Sequence, residues 1–202
     1  TKRGTLYEVD LRLRPSGGKG PVAVALPAFR AYHATESETW ERMALTRARV
    51  IVADGDFGEA VMAAVREACA RKDDGRLLKD IRAMRALVAQ EKPPRDHWDL
   101  KLTPGGLVDI EFAAQAAILR HAPEEPGFGE ANTGRALMRL SEKGWIPPAA
   151  GQALLEAWRL QSRLAQVIAL GASTPFDAAQ ARPPFKARLA AAAELPSFAV
   201  LD

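Results

Sequence analysis

"YEVDLRLRPSGGKGP", residues 7–21, alternates strictly between apolar and charged side chains as far as residue 14. Alternation with period two is typical of a β-strand, because successive strand side chains point to opposite faces. The apolar face would carry Tyr7, Val9, Leu11 and Leu13, and the charged face would carry Glu8, Asp10, Arg12 and Arg14. We therefore expect one face to pack against a core while the other meets solvent or a ligand.

The charged face of this predicted strand has two interpretations. Antiparallel strands commonly present charged side chains to water, and such a face needs no ligand. Alternatively, Glu8 and Asp10, about 6.7 Å apart on one face, can reach a divalent cation while Arg12 or Arg14 meets a phosphate group. Mg²⁺ prefers hard oxygen ligands and often keeps phosphate oxygens beside one or two carboxylates. The alternation alone leaves both interpretations open.

The predicted fold is mainly α, in the α+β class. A second short strand at 21–27 makes residues 6–26 a β-hairpin with a long glycine-rich turn, and "WDLKL" at 98–102 also alternates as a strand does. Elsewhere the pattern favours a helical bundle. Its predicted helices span 27–33, 39–53, 57–71, 76–90, 107–122, 133–143 and 148–171, with an alanine-rich helix ending near Leu195.

A change of domain is predicted near residue 54, where Asp54, Gly55 and Asp56 interrupt the helical pattern. This boundary separates residues 1–54, which contain the predicted hairpin, from a helical bundle domain at 55–202. The chain lacks a starting Met and its strand pattern begins almost at once. We therefore expect a piece of a longer polypeptide.

Composition excludes several function classes. The 28 basic and 25 acidic residues leave a net charge of only +3 and no clustered basic patch, which argues against nucleic-acid binding. Cys69 is the single cysteine, so an intramolecular disulfide is impossible and a reducing cytoplasm is the expected location. Apolar runs such as "VIALGA" at 167–172 are far shorter than the roughly 20 residues of a membrane span.

Further candidate residues lie on predicted helices. Within "ERMALTRAR" at 41–49, Arg42 and Arg49 are seven positions apart and would share a helix face. The ordinary interpretation of this stretch is a surface pair between Glu38 and Arg42.

An acidic pair, Asp109-Ile110-Glu111, lies in "KLTPGGLVDIEF" at 101–112. A helix starting after the two glycines would turn these carboxylates about 200° apart, so one ion could not bind both. Glu111 and Gln115, four apart, would share a face. The acids either stabilise a helix start through the macrodipole or line a functional polar wall. The histidines lack metal-ligand spacing; they are His33, His97 and His121.

The chain resembles the bifunctional glutamine synthetase adenylyltransferase/adenylyl-removing enzyme family. The resemblance runs in order from residue 5 to about 120 through four strings, "LYEVDLRLRPSGGKGP", "TWERMALTRAR", "DIRAMR" and "DLKLTPGGLVDIEFAAQ", and continues more loosely beyond them. Three details are similar to the C-terminal, adenylylating half of that family: "LYEVD", "TRAR" and "VDIEF".

This resemblance implies a polymerase-β-type nucleotidyltransferase domain, of which residues 1–54 would be the C-terminal part. In that superfamily a Gly-Ser motif precedes a D-x-D pair, and a third carboxylate comes from a neighbouring strand. Asp10 matches the third position and is the expected catalytic metal ligand, with Glu8 beside it. The implied cofactors are Mg²⁺ and ATP, and the expected cofactor-binding residues are Arg12, Arg14, Arg49 and Glu111.

The implied reaction is transfer of AMP from ATP to a tyrosine of glutamine synthetase, in regulation of nitrogen assimilation, with the PII signalling protein as a second partner. No Gly-Ser followed by D-x-D occurs in the 202 residues, so we expect the fragment alone to be inactive. Two alternatives stay open. The chain could be a helical module that docks glutamine synthetase or PII, or part of the phosphorolytic deadenylylating half.

Overall fold

The structure, a computed structural model, describes residues 14–72, 75–171 and 176–201. These residues form a short 3₁₀ turn at Gly17–Lys19 followed by α-helices. The helices are α1 (Leu26–Thr35), α2 (Thr39–Leu45), α3 (Phe57–Cys69), α4 (Leu77–Glu91), α5 (Leu107–His121), α6 (Thr133–Glu142), α7 (Pro148–Gly171), α8 (Pro183–Ala192) and α9 (Phe198–Leu201). The expectation of a mainly helical chain is therefore confirmed.

The predicted β-hairpin is not confirmed. Its first strand lies outside the described residues, apart from Arg14, and the part of the chain that the structure describes contains no strand. The prediction of a second strand at 21–27 is wrong, because α1 already begins at Leu26. Pro27 explains the difference: its fixed φ suits the first turn of a helix, and it has no N–H to donate to a sheet.

The predicted strand at 98–102 is also wrong, since these residues form consecutive turns. The backbone amides of Trp98 and Leu102 donate to the side chains of Asp96 and Asp99, at 2.8 Å and 3.2 Å. Such Asx turns offer the backbone a local alternative to a sheet. The Trp98 ring is instead buried in a cluster of apolar side chains.

The helix predicted at 39–53 ends at Leu45. Thr46 follows as its C-cap, and its hydroxyl donates to the carbonyl of Met43 at 2.7 Å. The β-branched run at 50–52 disfavours a further helical turn, because such side chains crowd the preceding turn. The predicted shared helix face of Arg42 and Arg49 is therefore wrong.

Most other helix boundaries match the sequence pattern. The Asn132 side chain accepts a hydrogen bond from the amide of Arg135 at 3.0 Å and caps α6, as predicted. Gly144 follows α6 with φ of +69°, a conformation that favours glycine. The long helix α7 has the bounds predicted from Pro148 and the downstream loop. None of the described helices combines the length and apolarity that a membrane span requires.

The chain divides into two compact units that differ from the predicted domains. The first comprises residues 1–77 with 118–131, and the second comprises 78–117 with 132–202. These compact units do not test the predicted boundary near residue 54, which therefore stays a prediction.

In the first unit, two arginines join α1, α2 and α3. Arg42 on α2 is 2 % exposed and donates to the carbonyls of Ala68 and Cys69 at 3.3 Å and of Arg71 at 2.6 Å. Arg71 in turn donates to the carbonyl of His33 at 3.1 Å and of Ser37 at 2.8 Å. Each guanidinium therefore satisfies carbonyls at a helix end, where intrahelical partners are missing.

His33 is a buried imidazole in this unit, only 4 % exposed and packed against the Phe29 ring at 4.3 Å between centroids. Burial lowers the pKa of His33 below 6.5, the Glu41 carboxylate opposes this, and Arg71 adds to the lowering. Just below pH 6.5, His33 is therefore protonated less in the folded chain than in the unfolded chain.

We expect the free energy of unfolding to fall as pH drops through about 6.5, since only the unfolded chain gains the His33 proton there. His33→Gln removes this group and should flatten the loss between pH 7 and pH 5. Urea unfolding at several pH values measures the effect, with His97→Gln, at an exposed position, as control. An equal pH dependence in wild type and His33→Gln would contradict the assignment.

In the second unit, helices α6 to α9 pack mainly against their sequence neighbours. Gly134 of α6 lies against Trp158 of α7, where an added Cβ would stand 2.3 Å from a ring carbon. Only glycine lets these two helices approach so closely. The buried cluster around Trp98 also lies in this unit and contains Leu164, Phe176 and Leu189.

Candidate functional site

Most of the predicted catalytic site lies outside the described residues. This holds for Glu8, Asp10 and Arg12, so their predicted roles stay predictions. Arg14 is described, and it is half-buried at the start of the glycine-rich turn. Its Nε donates to the carbonyl of Gly20 at 3.2 Å, and its own carbonyl accepts from Gly17 at 2.8 Å. The Arg14 guanidinium therefore helps to close the turn that follows the charged stretch.

Arg49, predicted to bind the cofactor, lies after α2 and is exposed. It belongs to the first unit, as Arg14 does. Arg42 instead points to the end of α3, so the interpretation of Arg42 as half of a surface pair with Glu38 is wrong. Of the three arginines in the stretch 41–49, Arg42 is buried, whereas Arg47 and Arg49 are exposed.

Asp109, Glu111 and Gln115 lie on α5 in the second unit. The first two are two positions apart on a helix, so their side chains diverge, as predicted. Glu111 is half-buried, and Gln115 is 8 % exposed. Among the described residues, no group of three His, Cys, Asp or Glu side chains could hold a metal ion.

Asp109 lies near the start of α5, but it also binds groups outside that helix. Arg85 of α4 forms an ion pair with it, donating through Nε to one oxygen and through Nη2 to the other at 3.3 Å. The amide of Gly105 donates to the same carboxylate at 2.7 Å, and Arg85 also donates to the carbonyl of Leu102 at 3.0 Å. A forked arginine–carboxylate pair of this kind fixes geometry as well as charge.

The turn before α5, residues 99–106, is therefore held from three helices. Arg85 reaches it from α4, Asp109 from α5, and Gln161 of α7 donates to the carbonyl of Gly105 at 3.0 Å. Gly106 leaves no room for a side chain, since an added Cβ would stand 2.7 Å from the carbonyl oxygen of Thr103. Sequence reasoning missed Arg85 and Gln161; "DIRAMR" contains Arg85 but does not reveal its partner, 24 positions away.

Asp109→Ala should lower the free energy of unfolding by about 2 kcal/mol, because it leaves the half-buried Arg85 and the Gly105 amide without their acceptor. Glu91→Ala, at an exposed position near the end of α4, serves as control and should change it by less than about 0.5 kcal/mol. Chemical denaturation compares the two. Equal effects would show that the ion pair does not hold the turn.

The first unit also contains a cavity of about 190 Å³ between α2, α3 and the 127–131 loop. Apolar side chains dominate its wall, with Arg66 and Glu130 as the charged members. None of the predicted site residues lines it. The cavity therefore adds no support to the predicted nucleotide site.

Comparison with known families gives two matches along the chain. Residues 1–64 match the family model described as glutamate-ammonia ligase adenylyltransferase. Residues 82–177 match the family model described as GlnD PII-uridylyltransferase. Both descriptions name nucleotidyltransferases, so this is the class of protein that the two matches define.

Curated relatives agree over the whole chain. The bifunctional glutamine synthetase adenylyltransferase/adenylyl-removing enzyme of Xanthobacter autotrophicus is 43 % identical over 100 % of this chain and 20 % of its own length. The Caulobacter vibrioides enzyme of the same name is 47 % identical over 98 % of this chain and 20 % of its own length. The chain belongs to this family and spans about a fifth of the length of the curated relatives it matches.

Proposed function

We propose that this chain is part of an ATP-dependent adenylyltransferase that transfers AMP to a tyrosine of glutamine synthetase. The observation that carries the proposal is the 43 % identity, over the entire chain, to the bifunctional glutamine synthetase adenylyltransferase/adenylyl-removing enzyme of Xanthobacter autotrophicus. Glutamine synthetase is then the protein substrate, the PII signalling protein a regulator, and the cytoplasm the location.

The proposed metal site centres on Asp10, with Glu8 beside it. Carboxylate oxygens at alternate strand positions are the donors that Mg²⁺ prefers, so the residue types fit this ion and its ATP partner. When bound, Mg²⁺ would neutralise charge on the ATP phosphates during transfer. The remaining acidic ligands would come from parts of the enzyme outside this chain, since no Gly-Ser followed by D-x-D occurs within it.

Arginine side chains would then orient the phosphates. Arg12 and Arg14 follow Asp10 at every second position, so all three lie on the same predicted face. Guanidinium groups bind phosphate oxygens through paired hydrogen bonds. Arg14 is already held by the carbonyl of Gly20, which limits the positions its guanidinium can take. Arg49 is exposed and able to meet a ligand. Glu111, which lies in the second unit, is proposed separately as a nucleotide-contacting residue.

The proposed modules are residues 1–54, as the C-terminal part of a nucleotidyltransferase domain, and 55–202, as its helical companion. The match of residues 1–64 to the adenylyltransferase model supports the first part. The motifs "LYEVD", "TRAR" and "VDIEF" favour the adenylylating half over the phosphorolytic one.

Thermal unfolding with and without MgATP tests the proposal on this chain. MgATP should raise the Tm, and Asp10→Asn should remove the shift. Asp56→Asn, an exposed carboxylate at the start of α3, should keep it. No shift in the wild-type chain, together with retained binding of purified glutamine synthetase, would instead support a helical docking module.

A second assay addresses catalysis. The chain alone should incorporate no labelled AMP into glutamine synthetase, whereas a full-length enzyme that contains it should. Incorporation by the isolated chain would show that the missing carboxylates are not required. Release of ADP that depends on phosphate and on this segment in the full-length enzyme would assign it to the deadenylylating half.

A further inference from the structure

The hydroxyl group of Tyr32 on α1 connects the start of α2 to the glycine-rich turn at 14–20. It lies within hydrogen-bonding distance of both carboxylate oxygens of Glu41, at 2.8 Å and 3.0 Å. Burial and the hydrogen bond to Glu41 raise the pKa of Tyr32, whereas a hydrogen bond from the backbone of Ser16 acts to lower it. The phenol oxygen therefore contacts α2 on one side and the turn on the other.

Glu41 is held in place by contacts other than Tyr32. It is 7 % exposed, and one of its oxygens accepts from the backbone amide of Glu38 at 2.8 Å, as part of the capping box of α2. The next residue, Arg42, binds α2 to the end of α3 through backbone carbonyls. Glu41 is therefore a fixed acceptor for the Tyr32 hydroxyl.

The turn at 14–20 is tightly closed. The carbonyl of Arg14 accepts from the amide of Gly17 at 2.8 Å, and its Nε donates to the carbonyl of Gly20 at 3.2 Å. An added Cβ on Gly20 would stand 2.1 Å from the carbonyl oxygen of Pro15, so no larger residue fits there. The position of Arg14 is thus tied to the rest of the turn.

Ser16, two positions after Arg14, has an unusual backbone conformation. Its φ is +61°, in the left-handed region that favours glycine. A residue other than glycine keeps such a conformation only where the surrounding contacts hold it, and such positions cluster at functional sites. The hydrogen bond between the Ser16 backbone and Tyr32 is a contact of this kind.

We propose that Tyr32 and Glu41 are positioning residues for Arg14. They hold Ser16, and through the closed turn they set the direction in which the Arg14 guanidinium leaves the backbone. A side chain that is already oriented loses less conformational freedom when it binds a ligand. The binding of ATP phosphates by Arg14 rests on the proposed function, whereas the anchoring of the turn by Tyr32 does not.

Hydrogen exchange of the intact 202-residue chain, without ATP, tests the anchor. The amides of Gly17, Lys19 and Gly20 donate within the turn. Tyr32→Phe keeps the aromatic ring but removes the hydroxyl, so these amides should exchange about fivefold faster, which corresponds to the loss of one hydrogen bond. Glu36→Gln, at an exposed position after α1, should leave their exchange unchanged. Wild-type exchange in Tyr32→Phe would overturn the inference.

A double-mutant cycle in a full-length family member that contains this segment tests the connection to Arg14. Tyr32→Phe should raise the KM for ATP about fivefold and keep kcat within about twofold, because it weakens nucleotide binding and not transfer. Arg14→Ala should raise this KM at least as much, and Tyr32→Phe should add nothing further to Arg14→Ala. Additive effects of the two substitutions would show that Tyr32 does not act through Arg14.

Glu41 allows a test by partial rescue. Glu41→Gln keeps one acceptor oxygen for the Tyr32 hydroxyl, whereas Glu41→Ala keeps none, so the KM for ATP should rise less in Glu41→Gln. An equal KM in both variants would remove Glu41 from the proposal. A wild-type chain whose Tm does not respond to MgATP, but whose turn amides still exchange faster in Tyr32→Phe, would contradict the proposed function and leave the anchor in place.

Discussion

Arg42→Met should destabilise the folded chain by about 3 kcal/mol or more. Methionine keeps the apolar stem but removes the donors that reach the carbonyls of Ala68, Cys69 and Arg71. Each buried acceptor left without a partner costs about 1–3 kcal/mol, and the 2 % exposure of Arg42 limits replacement by water. The loss should appear as a lower midpoint of urea unfolding with an unchanged slope.

Arg47→Met is the matched control, two residues after the end of α2 and exposed. It should change the free energy of unfolding by less than about 0.5 kcal/mol. Arg42→Lys should lie between them, because one ammonium cannot reproduce the planar fork of donors. A loss below about 1 kcal/mol for Arg42→Met would mean that the end of α3 finds other partners.

Asp10→Asn, introduced into a full-length family member that contains this segment, should reduce AMP transfer to glutamine synthetase about a thousandfold. A metal ion contributes several kcal/mol to the stabilisation of transition-state charge, and each 1.4 kcal/mol corresponds to a factor of ten in rate. Asparagine matches aspartate in size but carries no charge, so it weakens metal binding. Incorporation of labelled AMP measures the rate.

The control for this experiment is Asp56→Asn, which removes an exposed carboxylate elsewhere in the first unit. It should leave the rate within about twofold of wild type. Asp10→Asn should also keep the wild-type Tm in the absence of ATP, since its predicted role is in ligand binding. A wild-type rate for Asp10→Asn would remove this residue from the mechanism.

The helix boundaries that sequence reasoning found depend on local chemistry. The side chain of Asn132 caps the start of α6, and Gly144, with its positive φ, follows the end of that helix. Pro148 marks the start of α7 in the same way. Such signals act over one turn, so periodicity and capping residues are enough to locate them.

The boundaries that sequence reasoning missed depend on tertiary contacts or on side chains that mimic a turn. The apolar pattern after Leu45 continues, yet its residues face outward because the chain leaves the helix there. The side chains of Asp96 and Asp99 accept hydrogen bonds from backbone amides two and three residues later, so the alternating stretch forms turns instead of a strand. Period-two alternation identifies which side chains alternate in polarity, not which backbone partner they have.

The candidate site could be predicted from the sequence only as residue types. Alternation singles out Asp10 and its neighbours as candidates, and the role that the resemblance implies for them stays a prediction. The burial of Arg42 could not be predicted, since its acceptors are backbone carbonyls 26 to 29 positions away and carbonyls have no sequence signature. The ion pair between Arg85 and Asp109 could not be predicted either, because the two residues are 24 positions apart along the chain.

The arrangement of α6 to α9, in which each helix packs mainly on the next, gives this region a low contact order. Proteins rich in local contacts fold quickly, because short loops close at little entropic cost. During synthesis on the ribosome, each of these helices can dock as soon as its successor emerges. We therefore expect this region to gain its structure quickly once its helices have emerged.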